Sequence, residues 1–414
     1  HSIFQPKVKQ SILDNQILVI TEKIPYFNSF ALGIGVRAGS RDDFVGKEGI
    51  SHFLEHCVFR RTKNYESKQI NELFEKYGAY ANAFTTKEYT TYYVRALNDN
   101  FEKVWNLMKE IVFEPKFDKK DIAKEKSIVK EEVRSYTEDP EEEIFDITDK
   151  YLFKHSRLSH PIVGTIRSLS NLGIDDLNHF YDKHYTPSQI VITYVGGFTH
   201  DEIVELVNRE INIRPPRVEP HDRDKITIKP LTFHKNLKRQ FLQSHISIAK
   251  ILPNLPTRER YICAIANLLL GDCSSSRLYK SLREKSGLVY NVFSILTTYS
   301  DCSAVYIYST TNPSKSKKTV ERIYNELETL HKLGFSESEL ILAKEQIKSS
   351  TIIALENYSE RLQAIIKSKL VFGEYESLPE TISIIDSVTL EELNNFTQKY
   401  FEPNSWSSIV FEPK

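Results

Sequence analysis

LFEKYGAYANAF (residues 73–84) returns as LREKSGLVYNVF (residues 282–293). Leu73, Glu75, Lys76, Gly78, Asn82 and Phe84 map onto Leu282, Glu284, Lys285, Gly287, Asn291 and Phe293, each 209 residues later. Working outward, DDLNHFYDKHYTP (175–187) recurs as EELNNFTQKYFEP (391–403), and FDKKDIAKE (117–125) resembles FSESELILAKE (335–345). Three matches in one order, at a slowly drifting offset, describe a duplicated domain of about 200 residues. The expected division is 1–212 for the first copy, the Pro- and charge-rich IRPPRVEPHDRD (213–224) as linker, and 225–414 for the second copy.

Each copy mixes two periods. ILVITEKI, SFALGIGVRAG and YTTYYVRAL alternate as strands, whereas SKQINELFEKYG and DNFEKVWNLMKEIVF place apolar residues at helical spacing. FDKKDIAKEKSIVKEEVRSYTEDP predicts a long charged helix, with Asp118 as N-cap and Pro140 as its stop. The expected fold is α+β: two homologous domains, each a mainly antiparallel sheet with helices packed on one face.

Composition narrows the function classes. The 414 residues are 40% hydrophobic and 27% charged, as in a globular protein. Lys+Arg (55) balances Asp+Glu (56), which argues against a nucleic-acid or anionic-membrane partner. No run approaches the roughly 18 apolar residues of a membrane span. The four cysteines show no CxxC spacing and read as reduced thiols. The expected location is therefore the cytoplasm, with an organelle matrix or periplasm, after removal of a targeting segment, left open.

KEGISHFLEHCVFRRT (47–62) carries the chemistry. On a helix His52 and His56 stack on one face and can address a single ion, and Glu55 lies beside them to accept a proton from a bound water. The order H-x-x-E-H inverts the commoner H-E-x-x-H arrangement. A helix that merely buries two histidines fits the same letters. A third ligand is needed, and the long charged helix offers Glu125, Glu131 and Glu132. Glu125 and Glu132, seven apart, share a face that Glu131 does not; spacing alone does not choose among them.

With those residues in view, the chain resembles the pitrilysin/insulinase zinc peptidases. Within them it is most similar to the mitochondrial processing peptidase and its short bacterial relatives. VRAGSRDD, GISHFLEH, NAFTTKEYTTYY, EKSIVKEEVRSYTEDP, GTIRSL, HYTPSQIVITYVGGF and SSSRLYKSLREKSGLVYNVFS carry the likeness over nearly the whole chain. The resemblance implies a zinc endopeptidase that holds one Zn2+ per chain on His52, His56 and Glu132, with Glu55 as general base and Glu125 as an accessory carboxylate. It implies that the segment Ala81, Asn82, Ala83, Phe84, Thr85 is an edge strand holding an extended peptide. It also implies that each chain is half of a clamshell chamber.

The second copy has lost the motif: a shift of 209 lands on Tyr261, Ala264 and Ile265. By resemblance, its Arg283 and Tyr290 match the Arg and Tyr that the family brings to the substrate from the opposite half. Two domains in this chain, against four in long relatives, imply a homodimer whose site is completed in trans. Glu142 and Asp146 correspond to carboxylates that bind a substrate arginine in the processing peptidases; an acidic run opening a helix explains them equally. The alternative reading is a non-catalytic homologue, acting as a scaffold or as the substrate-binding subunit of a heterodimeric peptidase.

Overall fold

The computed structural model describes residues 7–209, 211, 223, 226 and 232–414. Apart from Arg223, the expected linker lies outside the described residues. In chain order the first half runs β1 (Val8–Ile12), β2 (Leu18–Lys23), β3 (Ser29–Val36), α1 (Ile50–Val58), α2 (Ser67–Lys76), β4 (Tyr80–Thr85), β5 (Thr90–Leu97), α3 (Phe101–Phe113), α4 (Lys119–Glu138), α5 (Pro140–Leu152), α6 (Ile166–Ser170), α7 (Ile174–His184), β6 (Ile190–Gly196) and α8 (His200–Asn208). The second runs β7 (His234–Arg239), β8 (Ser244–Leu252), α9 (Thr257–Gly271), β9 (Val289–Thr298), β10 (Ser303–Thr311), α10 (Ser316–Leu333), α11 (Glu337–Ala354), α12 (Tyr358–Lys367), α13 (Leu378–Ser387), α14 (Leu390–Tyr400) and β11 (Ser407–Pro413). Among the described residues no helix is long and apolar enough to cross a membrane.

The repeat is visible in the sheets. One is ordered β1-β2-β6-β3-β5-β4 and the other β7-β11-β8-β10-β9. Without β1 the two orders are the same, and each has one parallel pair, β2–β6 and β7–β11, among antiparallel neighbours. The 209-residue offset carries Asn82 and Phe84 of the edge strand β4 onto Asn291 and Phe293 of the edge strand β9. The expected α+β class with two sheets is what the chain adopts.

Compactness divides the chain differently from sequence. One unit comprises residues 1–135, 160–223 and 353–376; the other comprises 136–159, 224–352 and 377–414. Each copy lends a helix to the other copy's sheet. In the first unit Leu362, Ile365 and Ile366 of α12 pack on Ile20, Ala31, Val191 and Val195. The sheet is built to receive it: an added Cβ would lie 2.7 Å from Ile366 at Gly33 and 2.6 Å from it at Gly35. Only glycine there lets the helix approach so closely. In the second unit Ile144 of α5 joins Tyr308, Ile409 and Phe411, and Thr148 Oγ1 donates to Ser247 Oγ at 2.9 Å.

The site lies in the first unit, on α1, α4 and β4. Phe53, Leu54 and Val58 on one side of α1 are fully buried, which anchors the opposite side as a fixed platform.

Candidate metal centre and its carboxylates

Helix α1 begins at Gly49, which has no side chain to cap it. A distant residue does so instead: the Asp43 carboxylate accepts from the amides of Gly49 at 2.6 Å and Ser51 at 3.1 Å. The helix start is therefore held by the loop that follows β3. One turn later His52 and His56 stand with ring centroids 4.6 Å apart.

Helix α4 supplies the third group. His52 Nε2 lies 3.6 Å from Glu132 Oε1, and His56 Nε2 lies 3.6 Å from Glu132 Oε2. Ligand atoms of His52, His56 and Glu132 all fall within 4.8 Å of one another. Tetrahedral zinc, with bonds of about 2.0–2.2 Å, keeps its donors about 3.4 Å apart, so two imidazoles and a carboxylate at this spacing fit that ion with one position open. Geometry thus separates the three glutamates that spacing left open. Glu131 points to solvent and pairs with Arg134. Glu125 is buried behind the cluster: His56 Nδ1 donates to its Oε1 at 3.1 Å, and Arg60 pairs with its other oxygen. That contact keeps the His56 proton on Nδ1 and turns Nε2 toward Glu132.

The protonation balance follows from burial. Desolvation lowers the His52 pKa to about 3, with His56 adding repulsion, so this imidazole stays neutral. Burial works against charge on His56 as well, but the Glu125 bond and the charges of Glu55 and Glu132 raise it above the usual range. Burial would raise Glu125; its bonds to His56 and Arg60 hold it low. Burial raises Glu132. It also raises Glu55, against the opposing pull of a Thr85 bond and His56.

Glu55 sits on the same face of α1, 8% exposed. Its Oε2 accepts from Thr85 Oγ1 at 2.5 Å. The Thr90 hydroxyl lies 2.8 Å from the Ala38 carbonyl and 3.3 Å from Thr85 Oγ1, bracing that residue from the neighbouring strand. Thr85 ends β4, which among the described residues pairs with β5 alone. Ala81, Asn82, Ala83, Phe84 and Thr85 are thus all on an edge strand that meets α1, the helix of His52, Glu55 and His56. Sequence reasoning placed Thr85 along a peptide groove but missed its bond to Glu55. It also missed Arg60, whose place four residues after His56 was the available signal.

The remaining expected residues lie in the second unit. Arg283 lies in the last turn of a wide π-type segment, Tyr279–Lys285, and donates to the carbonyl of Tyr290, with its guanidinium 5.7 Å from the Tyr279 ring centre. Tyr290, on β9, is 53% exposed. Glu142 is in the first turn of α5, where the Asp139 side chain accepts from its amide, and Asp146 follows one turn later. The equivalent of α1 is α9, on which Tyr261, Ala264 and Ile265 replace the three motif residues.

Residues 18–166 match the family model described as insulinase (peptidase family M16), and residues 171–347 match the one described as peptidase M16 inactive domain. A Rickettsia felis protein named an uncharacterized zinc protease is 30% identical over 404 residues, spanning 97% of this chain and 96% of its own. A Bacillus subtilis protein named an uncharacterized zinc protease is 29% identical, over 95% of this chain and 96% of its own. The fold is shared with a Helicobacter pylori protease (TM-score 0.93, 20% identity, 99% and 100% of the two chains). It is also shared with a chain of complex III2 from Candida albicans (TM-score 0.83, 19% identity, 98% and 96%). On fold, family models and relatives together, this chain belongs to the insulinase family of peptidases, M16.

Proposed function

We propose that the chain is a zinc-dependent endopeptidase that cleaves short or unfolded peptides in extended conformation. One juxtaposition carries the reading: the ligand atoms of His52, His56 and Glu132 within 4.8 Å of one another, on the helix whose Glu55 is bonded to the edge strand. His52, His56 and Glu132 would hold a zinc ion, which would supply Lewis acidity, drawing the acidity of water down toward neutral pH and stabilising developing negative charge. Glu55 takes the proton released and returns it to the leaving amine. Thr85 holds one Glu55 oxygen, leaving the other to the reacting proton. Glu125 and Arg60 hold His56 in the tautomer that presents Nε2. A peptide adding to β4 is read through its backbone, which favours extended chains and excludes folded ones.

The same proposal extends to assembly and specificity: one zinc per chain, and a homodimeric chamber in which Arg283 and Tyr290 of one protomer serve the site of its partner. It extends also to a preference for arginine near the scissile bond through Glu142 and Asp146, since paired carboxylates suit a guanidinium. A processing-type task on presequence-like segments would follow from that preference.

A scaffold or regulatory role is the second reading, supported by the second half's match to a model named inactive domain and by the complex III2 chain of the same fold. Zinc content and cleavage of a quenched peptide library, compared for wild type and Glu55→Gln, separate the two. The enzyme reading expects about one zinc per chain in both and a turnover loss of about 10²- to 10⁴-fold in the variant. A wild type with neither zinc nor turnover leaves the scaffold reading.

A further inference from the structure

Arg223 is the last residue of the first unit; residue 224 begins the second. A linker arginine would ordinarily be solvated, yet this side chain is only 7% exposed. Its Nε and Nη2 donate to the two Asp42 oxygens at 2.8 and 2.6 Å. Nη2 also donates to the Glu88 carbonyl, and Nη1 lies 3.4 Å from Glu88 Oε1. Arg41 Nη1 meets that same Glu88 oxygen at 2.7 Å. The result is a buried cluster of two arginines and two carboxylates.

The cluster joins two segments that are already laced together. Asp42 lies in the loop between β3 and α1, and Glu88 in the turn between β4 and β5. The Ser40 amide donates to the Thr86 carbonyl at 3.1 Å, and the Arg41 amide to the Lys87 carbonyl at 2.8 Å. At Gly39 a Cβ would fall 2.4 Å from the Thr86 carbonyl oxygen, so backbone meets backbone directly. Each segment leads straight into the site. Asp43, next to Asp42, caps the helix that carries His52, Glu55 and His56. Thr85, next to Thr86, holds Glu55.

We infer that Arg223 is a positioning residue for the proposed reaction: its fork clamps the 39–43 loop to the 86–88 turn and thereby sets the Glu55–Thr85 contact. This rests on the peptidase reading. The planar fork matters, because bridging Asp42 and Glu88 needs several fixed donors and not charge alone. The clamp sits where the chain leaves the first unit, so the linker is fastened to the site's own framework.

The test uses Arg223→Gln, Arg223→Lys and the double variant Asp42→Asn/Arg223→Gln, which removes the stranded buried carboxylate and protects folding if the single variant fails to fold. At a temperature well below each Tm, we expect kcat to fall by about 10²-fold in the Gln variants, as for roughly 1 Å misplacements. KM should move by less than about threefold, with zinc content unchanged. The double variant should regain Tm without regaining kcat, and Lys should rescue little. Amide exchange at Arg41, Gly49 and Ser51 should quicken by about tenfold in the double variant. Recovery of kcat together with Tm, or full rescue by Lys, overturns the proposal, since Arg223 would then serve only as a counter-charge. A wild type without turnover sinks the peptidase reading instead, and unchanged exchange at the three amides would by itself remove the clamp.

Discussion

Helices α1 and α9 occupy the same place in the two copies and have opposite contents. In α9, Ile262, Cys263, Ile265, Ala266, Leu269 and Leu270 are buried in a continuous apolar core, with Tyr261 and Ala264 beside them. In α1 the corresponding turn buries His52 and Glu55 and half-buries His56. The fold accepts the apolar version, so the polar version is not required for packing. It is instead maintained by an imported framework: Asp43 at the helix start, Thr85 on Glu55, Glu125 and Arg60 on His56. Burying polar groups without such partners costs several kcal/mol, which explains why α1 has so many neighbours committed to it.

The strongest challenge to this comparison is to make α1 resemble α9. The triple variant His52→Tyr, Glu55→Ala, His56→Ile should bind no zinc in a metal assay and turn over no peptide, yet keep a cooperative melt with Tm unchanged or raised. Loss of the cooperative melt would show that the histidines serve the fold after all. A smaller effect is expected at the orienting carboxylate. Glu125→Gln should weaken zinc affinity by about 10- to 100-fold in a competition titration, because His56 loses its tautomer control while all three ligands remain. Smaller again, Thr85→Val should cut kcat by about tenfold with zinc content intact, and Thr85→Ser should restore it, as expected for a hydrogen bond to a charged group at the low end of its range, about 1.5 kcal/mol.

The smallest effect belongs to the second unit. Burial pushes Glu339 upward, but the Arg277 guanidinium and Ser336 outweigh it and hold the carboxyl at about 2. The folded-state pKa lies below the unfolded one, so this pair's stabilisation is complete above about pH 4.5 and is lost as pH falls toward 2. Acid titration of unfolding should show about 2 kcal/mol of that loss, the pair being partly exposed, and a smaller loss in Arg277→Met, where the Ser336 bonds remain.

Much of this was legible in the chain. The 209-residue offset predicted two like domains, and apart from the extra β1 the sheets obey it strand for strand. The long charged helix begins where Asp118 was expected to cap it, with Asp118 accepting from the Lys120 amide at 2.8 Å. Periodicity placed Glu125 and Glu132 on one face but could not say which reaches the histidines, because that depends on the distance between two helices 60 residues apart in sequence. The exchange of α5 and α12 was equally invisible. An amphipathic stripe such as Leu362, Ile365, Ile366 says that a face is buried, not which sheet buries it. Asp43, Arg60 and Arg223 were missed for the same reason: each acts through a partner that no local pattern names.

The exchanged helices have a consequence for synthesis. The first unit holds the earliest described strands but is not complete until residue 376. On the ribosome, the sheet face carrying Ala31, Gly33, Gly35, Val191 and Val195 must therefore wait for α12, some 160 residues after β6, before it is covered. A chain cut between the copies would leave each sheet missing a helix that only the other fragment can return. The first unit is thus finished late, by a helix that the second copy supplies.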